Sequence, residues 1–126
     1  MDMTHTATRM ASALAGAALI ASLGSTAVQA AEMSSKADIQ AAVSGKTYQG
    51  SMLKDAFAEY YDADGTIRAK GYGGKWRVAD GSMCFQYGDK PERCWDVRVE
   101  GTSMTMYRDG KVHGNGMLVE GNPHNF

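Results

Sequence analysis

Two hydrophobic rhythms divide this chain. From Ala11 to Val28 small and apolar residues run almost continuously, as ASALAGAALIASLGSTAV. From Lys46 onward apolar and polar residues alternate, the period of strands that bury one face. Between the two lies AEMSSKADIQAAVS, residues 31–44, in which Ile39 and Val43 share one helical face. Ser35 suits an N-cap, Asp38 takes the third helical position as in a capping box, and Gly45 ends the segment. A helix over 35–44 is therefore expected. About two and a half turns do not persist in water unaided, so this helix must dock on the rest of the fold.

The alternating region predicts eight strands, near 46–52, 57–61, 67–72, 74–78, 83–87, 93–99, 102–107 and 111–119. The separators D-A-D-G, A-D-G-S, G-D-K-P-E, E-G and R-D-G-K are hairpin signals, since Gly and Asp tolerate the angles tight turns require. LKDAFAEYY fits two helical turns as well as the second strand. A D-G loop sets Val78 opposite Met83 and Trp76 opposite Phe85, and the turn at 62–66 sets Tyr61 against Ile67. An E-G loop sets Val97 opposite Met104 and Trp95 opposite Met106. At Y-R-D-G-K a two-residue loop would put Met106 against His113. A three-residue loop with Gly110 left-handed is expected instead, placing Met106 against Val112 and turning His113 outward.

The inner face then holds Phe57, Tyr61, Ile67, Trp76, Val78, Met83, Phe85, Tyr87, Trp95, Val97, Val99, Met104, Met106, Val112 and Leu118. Arg68, Lys70, Lys75, Arg77, Asp96, Arg98 and Lys111 alternate outward. One apolar face on successive hairpins must be covered or close on itself. The expected fold class is mainly β: a short N-terminal helix, then an antiparallel meander closing or nearly closing into a small up-and-down barrel. An open, curled sheet packed on the helix is the alternative. Gly71, Gly73, Gly74, Gly114 and Gly116 are expected where strands bend or backbones approach closely.

The amino-terminal run changes the compartment expected. A polar start with Arg9, an apolar stretch short of the ~20 residues a bilayer span needs, and a V-Q-A close fit an export signal cut after Ala30. A single β-rich domain over 31–126 would then work in the periplasm or outside the cell, with no membrane span after signal removal. Without Asp2 and Arg9, the chain's 14 acidic and 13 basic residues leave 13 and 12, mixed along the sequence. That balance argues against a nucleic-acid partner. Two cysteines in an exported chain favour a disulfide. Pairing Tyr87 with Pro91 around Gly88–Lys90 sets Cys84 opposite Cys94, so a cross-strand bond is expected.

Candidate chemistry is sparse. D-A-D-G at 62–65 opens like a calcium loop but lacks the later ligands, and G-Y-G-G at 71–74 lacks the P-loop Lys-Ser/Thr pair. Met104 and Met106 form an M-x-M pair of soft ligands, yet their inward phase suits core filling. His113 and His124 are not spaced with carboxylates as zinc requires. No catalytic set, cofactor or metal is expected. Tyr48, Tyr72 and Tyr107, outward in phase and near Lys70, Arg108 and Lys111, form a candidate contact surface. An enzyme would have to assemble residues such as Asp96, His113 and Glu120 in space.

The helix followed by G-K-T-Y-Q-G, E-Y-Y-D-A-D-G-T, G-G-K-W-R-V-A-D-G-S-M-C-F, R-C-W-D-V and Y-R-D-G-K resembles small exported β-proteins of alphaproteobacteria that form a domain family of unknown function. The resemblance covers nearly all of 31–126 and implies an envelope location and a β-meander, with no assigned catalytic residues. A weaker similarity is to compact periplasmic barrels that inhibit lysozyme by presenting a Ser and a Lys. Ser103 and Lys111 are equivalents in kind, without the fuller motif. The expected function is a non-catalytic envelope module binding a protein, polymer or small ligand. An acid/base enzyme and a structural envelope-stress or lysozyme-inhibitor-like protein are the alternatives.

Overall fold

Ser35 caps the helix as its spacing requires: its hydroxyl accepts from the Asp38 N–H at 3.2 Å. The structure, a computed structural model, describes residues 32–126 together with Gly16; the expected export signal and its cut site lie outside that stretch. Helix α1 (Lys36–Val43) is followed by β1 (Lys46–Met52), β2 (Asp55–Tyr61), β3 (Thr66–Ala69), β4 (Tyr72–Ala79), β5 (Ser82–Gln86), β6 (Arg93–Glu100), β7 (Ser103–Arg108) and β8 (Lys111–Glu120). Each strand pairs antiparallel with the next, and β8 pairs back onto β1, so the sheet is a closed barrel. LKDAFAEYY enters a strand, not a helix, because its residues from Asp55 on complete the ladder against β1.

The two ends of the barrel differ. Ile39 and Val43 of α1 are fully buried, and the helix packs against β1, β4 and β6. The chain before it is tied in by Ser34, which donates to the Val97 carbonyl and accepts from the Gly81 N–H. This end is plugged. The opposite end is made of the hairpins at 53–54, 70–71, 87–92 and 109–110. Between the ends the interior is filled: Tyr48, Tyr61, Met83, Val97, Met104 and Met106 are all completely buried.

Four turns show how register is decided. Val78 stands opposite Met83, Trp76 opposite Phe85, and Tyr61 opposite Ile67, as expected. At β6–β7 the loop is Gly101-Thr102, so Val97 faces Met106 and Val99 faces Met104. Gly101, at a φ of 56°, takes the first loop position, where a left-handed residue is needed. The shift keeps every residue on its expected face. At β7–β8 the loop has two residues, not three, because Asp109 and Gly110 both adopt positive φ, the signature of a type I′ turn. A bulge at Met106/Tyr107 then skips His113, so Met106 faces Gly114. That bulge resolves the clash of phase that had argued against the short loop. Val112, expected inside, is consequently 61% exposed.

Tyr48 corrects a second expectation: it is completely buried instead of outward, with its hydroxyl donating to the Ser51 carbonyl at 2.8 Å. The closing seam explains why. Gly50 and Gly116 face each other between β1 and β8, and a Cβ on Gly116 would lie 2.5 Å from the Gln49 oxygen and 2.8 Å from Tyr48 Cζ. The tyrosine ring occupies the space those glycines leave. Gly116→Ala should therefore lower stability by about 2 kcal/mol or more, a typical cost of overpacking; an unchanged urea midpoint would contradict this account of closure.

Cys84 and Cys94 are directly opposed in β5–β6 and are joined, with Cα atoms 4.0 Å apart. The bond encloses a short ring, whose chain-entropy contribution is about 2.8 kcal/mol. Replacing both cysteines with serine should depress the unfolding midpoint accordingly. Two alkylatable thiols in the folded, untreated protein would count against the bond.

Candidate functional site

Strand alternation forces a carboxylate into the barrel. Phe57 and Tyr61 face inward on β2, so Glu59 between them does too, opposite Tyr48, and it is completely buried. Burying a bare carboxylate costs several kcal/mol unless it is hydrogen-bonded. Here the Tyr87 hydroxyl donates to Oε1 at 2.7 Å and the Tyr61 hydroxyl to Oε2 at 3.1 Å. The Tyr72 hydroxyl lies near the same carboxylate and acts on it electrostatically. Burial raises the Glu59 pKa, and the neighbouring hydroxyls of Tyr87, Tyr72 and Tyr61 offset part of that rise. The same burial, together with the Glu59 charge, lifts Tyr61, Tyr72 and Tyr87 above the ordinary tyrosine range. Burial alone pushes Tyr48 up to about 12. All of these phenols stay protonated and serve as donors.

The tyrosines join a chain of rings leading to the open end. Phe85 lies 6.0 Å from Tyr61, 5.7 Å from Trp95 and 6.4 Å from Tyr87, the last with planes nearly parallel. Tyr72 meets Tyr87 edge-on at 5.8 Å. Trp95 is held by its indole N–H against His113 Nδ1 at 3.4 Å and by the Arg108 guanidinium 5.2 Å above its ring. Two clefts flank this aromatic floor. One, of about 360 Å3, lies at the β5–β6 hairpin and is lined by Phe85, Tyr87, Lys90, Pro91, Arg93 and Trp95. The other, of about 540 Å3, lies beside Phe57, Lys70, Tyr72, His124 and Phe126. There β2 and β3 pair only at Tyr60–Arg68 and Tyr61–Ile67, so the wall parts next to residues 56–58.

The expected contact residues are partly brought together. Lys70 and Tyr72 belong to the β3–β4 hairpin, and Tyr107, Arg108 and Lys111 to the β7–β8 hairpin. Both hairpins are at the open end but across the barrel from one another, because half the strands separate them; Tyr48 is not on the surface at all. Tyr72, expected outward, shares the inward phase of Trp76 and Val78 and packs on Tyr87. The assembled acid/base set does not form. Asp96 lies on the outer wall, accepting from the Ser82 hydroxyl, and Glu120 pairs with Lys46 at the plugged end. His113, expected outward, turns to Trp95. Ser103 and Lys111 open adjacent strands that run in opposite directions, which puts them at opposite ends.

Met104 and Met106 are core residues. The D-A-D-G segment is a turn whose carboxylates serve itself: Asp64 accepts from the Thr66 N–H at 2.8 Å, and Asp62 pairs with Arg68 at 3.2 Å. Cys84, Glu92 and Cys94 lie within ligand distance of one another, but both sulfurs are in the disulfide and Glu92 is bound to Arg77 at 2.9 Å.

Sequence reasoning missed Glu59 and Arg93. Both were legible by phase, Glu59 from Phe57 and Tyr61, Arg93 from Trp95 and Val97. Comparison with protein-family models, curated proteins and solved structures finds no match for this chain. Among the described residues no helix is long and apolar enough to cross a membrane.

The raised Glu59 pKa links stability to pH. Folding takes up a proton between the unfolded carboxyl value of about 4.3 and the higher folded value. The contribution is complete below the unfolded value and is lost as pH rises through the folded one. Denaturant titrations from about pH 4 to about pH 8 should show this decline in the native protein, with a flatter profile in Glu59→Gln. Glu59→Ala, which strands the hydroxyls, should cost on the order of 2–4 kcal/mol. Identical pH profiles for the native protein and Glu59→Gln would contradict a buried, titrating carboxyl.

Proposed function

We propose that this protein is a non-catalytic binding module of the cell envelope that offers the open end of its barrel to an anionic partner. The observation that carries the reading is the contrast between the ends. The plugged end carries Asp38, Asp62, Asp64, Asp80, Glu100 and Glu120, with Lys36 and Lys46 interspersed. The open-end hairpins carry Lys54, Lys70, Lys90, Arg93, Arg108 and Lys111, with Asp55, Asp89, Asp109 and the Arg77-paired Glu92 interspersed. Among the described residues Lys54, Lys70, Lys90, Arg93 and Lys111 form no ion pair. Unpaired cations around an aromatic floor attract and orient an anion.

Other features support the same assignment. The buried carboxylate is fully hydrogen-bonded, as are the other buried polar side chains of the described residues, which suits a structural centre. The amino-terminal run, the disulfide and the resemblance to small exported β-proteins favour the periplasm or the exterior. An enzyme would need an acid and a base within reach of one pocket, and the candidates Asp96, His113 and Glu120 are dispersed.

Titrating 15N-labelled protein with peptidoglycan fragments, lipopolysaccharide and acidic polysaccharide tests the reading. At least one should shift the 70–71, 87–92 and 109–110 hairpins and should weaken with added salt. Shifts confined to the α1 end, or a substrate turned over by the purified protein, would overturn it.

A further inference from the structure

We infer that the β5–β6 cleft is a specific site for a small ligand joining a flat apolar ring to one anionic group. The inference rests on the open end being the binding end and adds the ligand class. The cleft's apolar lining is aromatic, with Phe85, Tyr87 and Trp95, and its only charged lining residues are Lys90 and Arg93. No carboxylate lines it. Of the acids adjacent in sequence to its lining, Glu92 is engaged with Arg77, Asp96 accepts from Ser82 on the outer wall, and Asp89 sits in the hairpin beside Lys90. Arg93 shares the inward phase of Trp95 and Val97 and pairs across the ladder with Phe85. The guanidinium fork is thereby set beside the rings, where it can bind a carboxylate, phosphate or sulfonate through two parallel N–H bonds. A volume of about 360 Å3 is at the small end of ligand pockets.

The cleft is built before a ligand arrives. The Tyr87 ring is fixed at one end by its hydroxyl on Glu59 and lies over Gly74, where a Cβ would come within 3.0 Å of Cδ1. Its face is stacked on Phe85. The hairpin closes with the Lys90 N–H on the Tyr87 carbonyl at 3.0 Å, Pro91 stiffens its return, and the disulfide locks the register one residue below the Phe85–Arg93 pair. Walls that need no ordering on binding cost less affinity to assemble. Glu59 is thus a positioning residue for the floor, while Arg93 and Lys90 supply the charge.

The probe is 2-naphthoate, with 2-naphthalenemethanol as its uncharged counterpart, titrated into protein produced from the full chain. The Trp95 indole N–H resonance reports the cleft; that of Trp76, buried and bonded to the Asp62 carbonyl, is the internal control. The acid should move Trp95 and bind about tenfold or more tightly than the alcohol, a gain typical of a charge-assisted hydrogen bond. Arg93→Gln, at an exposed position, should erase that preference while leaving alcohol binding unchanged, and Lys75→Gln on the outer wall should leave acid binding intact. Equal affinity for acid and alcohol, or an equal loss in Lys75→Gln, would overturn the site. If Trp95 stays still while envelope polymers shift the rim hairpins, the cleft inference fails and the open-end reading survives. If neither probe nor polymer acts there, both fail.

Discussion

Closure of the sheet between β1 and β8 is the constraint on which the rest of the structure depends. A meander of eight strands has two edges, each a row of unpaired backbone groups, and joining them satisfies both at once. The join brings backbones very close at Gly50 and Gly116, where no side chain fits. Tyr48 then fills the interior over these glycines, and Leu118 and Met104 pack beside it in the ladder. The bulge at His113 belongs to the same geometry, since closing a barrel demands local bending and bulges supply it. By skipping a residue, it also brings His113 to Trp95 at the mouth.

Closure makes the interior a shared low-dielectric space, and that gives Glu59 its importance. In an open sheet the residue opposite Tyr48 would find water. In the barrel it is desolvated and needs donors, which come from β2 and from Tyr87 just past β5. The carboxylate therefore ties β2 to the β5–β6 hairpin and fixes the angle of Tyr87. The polar centre and the aromatic floor are one construction, and a change in the first reaches the second through a single hydroxyl.

The barrel's asymmetry follows from where its connections fall. With α1 entering at the end where β1 begins, that end is covered and its hairpins meet helix and chain. The other end keeps its apolar rings accessible and its cations unpaired. A filled barrel with one dressed end is suited to recognition at a rim, not to engulfing a ligand along its axis.

Much of this was present in the alternation of residues alone. The period-2 pattern determined which residues face inward, and it was right for Trp76, Phe85, Trp95 and nearly all the expected core, because side-chain facing depends only on local backbone geometry. The opposed cysteines and the helix with its Ser35 cap were equally local. Glu59 and Arg93 were determined in phase, though phase does not say what a polar inward residue will meet. Only the tertiary structure decided that β1 closes on β8, that Tyr48 rather than solvent covers the seam glycines, and that a bulge puts Val112 out and His113 in. It alone gathered Tyr61 and Tyr87 on one carboxylate, with Tyr72 close by, and sent Asp96, Glu120 and Ser103 elsewhere. The physical reason is that facing is a property of a strand, whereas closure, register shifts and hydrogen-bond partners are properties of how strands meet.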